Sequence, residues 1–229
     1  MTTFVLVHGA WHGAWCWDRV RGCLEADGHE VVTPELPADV PGAGRPEYLD
    51  TLDKALAARG DVVLVAHSMS GLVAPLLTAH PAVASMVLLA AMTPRPGTTW
   101  LDNGPAPFAA SMRERAGRLK FDEAGRSEWE PADAVALFYQ DCTPADAAEA
   151  VARLRPSSPA IYGQTCPALP SRRAPVSYVS CQQDRAIDGT WNANLAVELL
   201  GAAVHEINTG HSPFWSAPGE LAKLLEELS

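Results

Sequence analysis

The stretch Val62-Val-Leu-Val-Ala-His-Ser68-Met-Ser-Gly71 passes from a five-residue apolar run, Val62 to Ala66, into a cluster of small side chains, with a second apolar segment beginning at Leu72. An unbroken apolar run of this length suits a strand covered on both faces, as in a parallel sheet. A serine at the junction between such a strand and a following helix is the arrangement of a nucleophile elbow. The turn there is so tight that the positions two before and two after the serine must be small, usually both glycine. Here they are Ala66 and Ser70, which keep the steric requirement without the strict pattern. From the pentapeptide alone, a serine that merely caps a helix is the commoner explanation.

Working outward, similar runs recur at Phe4 to Val7, Glu30 to Thr33, Met86 to Ala90, Val176 to Val179 and Ala203 to Ile207. Segments with helical periodicity separate them: Val20 to Ala26, Tyr48 to Ala58, Leu72 to His80, Trp191 to Leu200 and Leu221 to Leu228. Alternation of this kind predicts an α/β fold, a doubly wound and mainly parallel sheet of six strands built from right-handed crossovers. Residues 93–174 break the rhythm, with no recognisable strand and several short helical patterns between Pro and Gly. The expectation is a helical insertion dividing a core of residues 1–92 and 175–229. Within it, Thr143-Pro-Ala-Asp146 supplies an N-cap, a proline at the first helical position and an acid in the first turn.

Three further elements bear on chemistry. His8-Gly-Ala-Trp-His-Gly-Ala-Trp15 follows the first strand, and its small residues let the backbone approach a ligand closely. Acyl transfer at a serine needs two backbone N–H groups aimed at the developing oxyanion, and Ala10 and Met69 are those donors by position. His211 follows the last predicted strand, where a loop side chain can reach the elbow across the strand ends. The preceding loop, Cys181-Gln-Gln-Asp184-Arg-Ala-Ile-Asp188, offers two acids to orient it; Asp184 comes sooner after its strand and is preferred. A lone loop His or Asp is more often solvated, but the order Ser, Asp, His with each at a strand's C-terminal end is a triad order.

Composition sets the outer bounds. A chain of 229 residues, 48% hydrophobic, is large enough to fold as one unit around its own core. With 17 basic against 27 acidic side chains the net charge is −10, which disfavours nucleic acid as a partner. Five scattered cysteines, without C-x-x-C pairs, read as free thiols in a reducing compartment. Neither a signal segment nor an apolar run of membrane-spanning length is present, so the expected address is the cytoplasm, away from membranes. The spacing offers no metal site, dinucleotide fingerprint or P-loop, and no cofactor is expected.

Val7-His-Gly-Ala-Trp-His-Gly-Ala-Trp15, Ala66-His-Ser-Met-Ser-Gly71, Gln183-Asp-Arg-Ala-Ile187 and Gly210-His-Ser-Pro-Phe214, taken in that order, resemble the compact α/β-hydrolases that include plant methylesterases, hydroxynitrile lyases and bacterial esterases. The resemblance spans nearly the whole chain. It implies an α/β-hydrolase fold, Ser68, Asp184 and His211 as the triad, Ala10 and Met69 as the oxyanion hole, and residues 93–174 as a small cap. The implied partner is a small, apolar or aromatic carboxylic ester. In the lyases a lysine follows the histidine and a threonine sits in the oxyanion loop; this chain has Ser212 and Gly9 there, which favours the esterase. A lyase or cyclase using the triad for proton transfer, and a receptor that retains the pocket, are the rival classes. Among lesser candidates for substrate contact, His12 follows the oxyanion loop, and Trp129, Phe138 and Tyr139 lie in the insertion; core packing competes as an explanation for each. His67 is expected to point away from the pocket, and Trp15 and Trp17 to pack the first helix on the sheet.

Overall fold

In the computed structural model, which describes residues 1–171 and 174–229, all six anticipated strands form one parallel sheet. They are β1 (Thr3–Val7), β2 (Glu30–Val32), β3 (Val62–His67), β4 (Val83–Leu89), β7 (Val176–Cys181) and β8 (Ala203–Ile207), in the spatial order β2-β1-β3-β4-β7-β8. The apolar runs match this order. β3, flanked on both sides, is buried along its whole length, whereas the edge strands β2 and β8 keep exposed positions. Pairing of Leu6 with Val65 and of Leu88 with Ala66 and Tyr178 sets β1, β3, β4 and β7 in register.

Helices α1 (Asp18–Ala26), α2 (Arg45–Leu56), α6 (Gly189–Leu200), α7 (Pro213–Ser216) and α8 (Pro218–Glu227) flank the sheet. α8 packs against α1, each through its apolar stripe of Leu221, Ala222 and Leu225 or Val20 and Leu24. Trp17 is fully buried beside Phe214 and His67, as its expected packing role requires, while Trp15 is only partly buried and stacks on His12.

Two expectations need correction. The helix anticipated over Leu72 to His80 is instead a pair of 3-10 turns, Ser68–Leu72 and Ala74–Leu77. Pro75 lacks the N–H for an α ladder and disfavours the α conformation at Ala74, so the chain tightens instead of continuing. The region from 93 to 174, of which positions 172 and 173 lie outside the described residues, contains strand after all: β5 (Lys120–Phe121) pairs antiparallel with β6 (Ser127–Glu128). A polar turn makes this hairpin, in which Asp122 Oδ1 accepts the N–H groups of Ala124 and Arg126 and Gly125 adopts φ +74°. Two-residue strands carry no alternation for a sequence to display. The same region carries three short helices, α3 (Ala110–Arg115), α4 (Pro131–Phe138) and α5 (Pro144–Ala152), joined by turns and irregular chain. Thr143 caps α5 as expected, its side chain accepting the Asp146 N–H.

Candidate active site

Parallel strands deliver their C-terminal loops to one edge of the sheet, which is where open α/β sheets bind ligands. The chain leaves β3 at Ser68 in a left-handed backbone conformation, φ +54°, that an L-residue adopts only when its surroundings enforce it. Ser70 Oγ donates to His67 O at 2.8 Å, and Met92 N–H donates to Ser68 O at 2.9 Å, so the turn is held from both sides. Gly71 permits this: a Cβ there would lie 2.9 Å from the Ala91 methyl and collide with Met92 O. Gly9 likewise lets the β1 loop run against the elbow, since a Cβ would come within 2.8 Å of Ser68 Cβ. The adjoining Ala10 is buried beside the elbow.

Loops after β7 and β8 bring Asp184 and His211 to the serine. His211 Nε2 lies 3.1 Å from Ser68 Oγ, and His211 Nδ1 lies 2.7 Å from Asp184 Oδ2. An ionised carboxylate can only accept, so the Nδ1 proton points to Asp184 and the Nε2 lone pair faces the serine hydroxyl. Asp184 is itself fixed, because its Oδ1 accepts the N–H groups of Ala186 at 2.7 Å and Ile187 at 2.9 Å. The other acid, Asp188, serves elsewhere: it caps α6 by accepting the Trp191 N–H at 2.9 Å.

Above Ser68 and His211 opens a cavity of about 400 Å³ lined by Trp11, Met92, Trp100, Phe108, Trp129 and Phe138, among other mostly apolar side chains. Trp129 and Phe138, two of the expected substrate contacts, line this cavity. His12 and Tyr139, expected as substrate contacts, do not line it. His12 is 1% exposed, its Nδ1–H donating to Ala10 O at 2.7 Å and its Nε2 accepting the Tyr139 hydroxyl at 2.7 Å. Burial, reinforced by the neighbouring His211 and His8 and opposed by the bond to Ala10, holds the His12 pKa down at about 3, so the ring is neutral. Burial pushes the Tyr139 hydroxyl pKa up, leaving it a neutral donor. Two interior polar groups that satisfy each other are unavailable to a ligand.

His67 also lies away from the cavity, as anticipated, and donates from Nε2 to His211 O at 2.9 Å; burial and the nearby His211 and His12 keep its pKa well below the usual imidazole value. Several cavity residues carry no motif of their own in the sequence. Trp11, within the loop after β1, adopts φ +62° and lines the cavity, where its ring stacks on Phe138. Trp100, Phe108 and Met92 carried no local signal. Among the described residues, no group of three or more His, Cys, Asp or Glu is placed to hold a metal ion, and no helix is long and apolar enough to cross a membrane.

A model of the alpha/beta hydrolase family matches residues 4–224. Methylesterase 7 of Arabidopsis thaliana is 28% identical over 253 residues, covering 99% of this chain and 95% of the relative. Norfluorocurarine synthase 1 of a Strychnos species is 26% identical over 260 residues, covering 99% and 94%. Among solved structures, a pyrethroid hydrolase from Sphingobium faniae JZ-2 superposes with a TM-score of 0.76 at 23% identity, covering 99% of this chain and 96% of that one.

Proposed function

The chain belongs to the alpha/beta hydrolase family, and on that premise we propose that it is a carboxylic ester hydrolase working through Ser68, His211 and Asp184 on neutral, apolar esters. The observation that carries this reading is the unbroken hydrogen-bonded line from Ser68 Oγ through His211 to Asp184 at the floor of the apolar cavity. His211 Nε2 takes the serine proton as Oγ attacks the ester carbonyl, and Asp184 stabilises the imidazolium that forms. The carbonyl electrons move onto oxygen, facing the N–H groups of Ala10 and Met69. Collapse of the intermediate breaks the ester C–O bond, and the alkoxide leaves with the proton from Nε2. Water, deprotonated by His211, then cleaves the acyl-enzyme, freeing the acid and restoring Ser68.

The insertion caps the cavity, with Trp129 and Phe138 providing apolar surface for the substrate while Ser68 and His211 hold its reacting carbonyl. The lining is mostly apolar, with the exposed Arg113 its only Lys, Arg, Asp or Glu, and favours esters whose buried groups are neutral, because an ion held away from Arg113 would lose its hydration without a partner. Cyanohydrin cleavage is disfavoured, since the residue after His211 is the fully buried Ser212 and supplies no cation for departing cyanide.

The test is turnover of aryl and methyl esters alongside labelling by an active-site phosphonate. Covalent attachment at Ser68, abolished together with turnover by Ser68→Ala, is the expected result, with no cyanide release from mandelonitrile above the buffer rate. Attachment at Ser70, or full turnover by the alanine variant, would overturn the reading.

A further inference from the structure

The turn between α4 and α5 lies outside the cavity lining and carries none of the groups assigned a chemical role. Two of its side chains nevertheless reach the loops that hold Asp184 and His211. Asp141 Oδ2 accepts the Gly210 N–H at 2.6 Å, one residue before His211. Gln140 Nε2 donates to Gln183 O at 2.9 Å, one residue before Asp184. A Cβ at position 210 would sit 2.6 Å from Asp141 Oδ1 and collide with the Gln140 amide, so both side chains would have to shift to admit one.

The two loops also touch each other, through Gln183 N–H to Thr209 O at 2.9 Å and the Gln183 amide to Asn208 Oδ1 at 2.9 Å. Those bonds tie the loops edge to edge near their strands. The α4–α5 turn holds both from the insertion side, next to the two residues whose side chains must meet at 2.7 Å. We propose that Gln140 and Asp141 are positioning residues, a clamp from the insertion that sets the spacing of the Asp184 and His211 loops; the inference rests on the esterase reading above.

The physical case turns on tolerance. Working side chains need to be held within about 0.5 Å of their productive geometry, and neither loop is regular secondary structure at the residue concerned. A carboxylate accepting a backbone N–H makes a short, strong bond. Gly210 is buried, so without Asp141 its N–H must find another acceptor or the loop must move. Either response displaces His211, which follows directly.

The clamp is testable by steady-state kinetics on a p-nitrophenyl ester together with proton NMR of the downfield His211 Nδ1–H, assigned by its loss in His211→Ala. Asp141→Ala should lower kcat about ten- to a hundredfold, as expected for a displaced working group, with KM within about twofold of wild type. The imidazole proton should move upfield or broaden. Asp141→Asn, which keeps an acceptor oxygen, should restore most of kcat, and Gln140→Leu should show a smaller loss of the same kind. Wild-type kcat and an unmoved proton in Asp141→Ala would overturn the clamp, as would equal damage from the Asn and Ala variants. Should Asp141→Ala fail to fold, Gln140→Leu decides by the same two readouts. If the wild-type protein cleaves no ester, the esterase reading falls while the imidazole proton still tests the clamp.

Discussion

Replacing Asp184 with Asn changes one atom and reverses the logic of the line it belongs to. Asp184 Oδ1 accepts two backbone N–H groups, from Ala186 and Ile187, while Oδ2 faces His211 Nδ1. An asparagine must place its oxygen and its amide in those two positions. Turning the amide toward Ala186 and Ile187 would oppose donors to donors and leave two backbone groups unpaired, at about 1–3 kcal/mol each. Turning it toward His211 costs only a change of tautomer. The second arrangement wins: the amide donates to Nδ1, the imidazole proton moves to Nε2, and the lone pair that should accept the Ser68 proton is gone. Loss of kcat by up to about 10⁴-fold is expected, the scale seen when a triad histidine is held in the wrong tautomer. Asp188→Asn should change kcat little, because Asn replaces Asp at an N-cap almost without cost. The assay is ester turnover by both variants, with thermal unfolding to establish that each is folded. An active Asp184→Asn beside an inactive Asp188→Asn would refute the assignment of the acid.

Gly9→Ala should lower kcat at least about tenfold, because its Cβ meets Ser68 Cβ at 2.8 Å and one of the two must move; a wild-type rate of Ser68 labelling in that variant would refute this packing. Stability should fall as the solution is acidified from pH 7 to pH 5. His12 keeps its pKa near 3 when folded and regains about 6.5 when unfolded, so the unfolded chain binds the extra proton in this window and gains about 2 kcal/mol by pH 5. The buried His67 shifts in the same direction and adds to the effect. Urea unfolding at the two pH values checks it: His12→Gln should flatten the dependence, and equal or greater wild-type stability at pH 5 would contradict the neutral, buried ring.

How much of this was legible in the chain depends on whether the signal is local. The inner strands were, because burial on both faces of a parallel sheet demands continuous apolar runs such as Val62 to Val65, and the half-exposed edge strands β2 and β8 were legible from their β-branched residues and their place in the alternation. Ser68, Asp184 and His211 were legible for a related reason: in this topology each lies just beyond the end of a strand, so chain order alone predicts that they converge. Tertiary structure decided what depends on partners distant in sequence. His12 has the composition of a substrate contact, but the Tyr139 hydroxyl, 127 residues away, takes its free nitrogen and turns it into a buried support. Trp11, at φ +62°, lines the cavity together with Trp100 and Phe108, which lie about 90 residues further along the chain. Asp141 is an ordinary acid in a turn until Gly210 is brought to it. Periodicity and motif order record what each segment must bury and which end of the sheet it reaches, whereas pairings between loops are fixed by packing distances that no stretch of sequence contains.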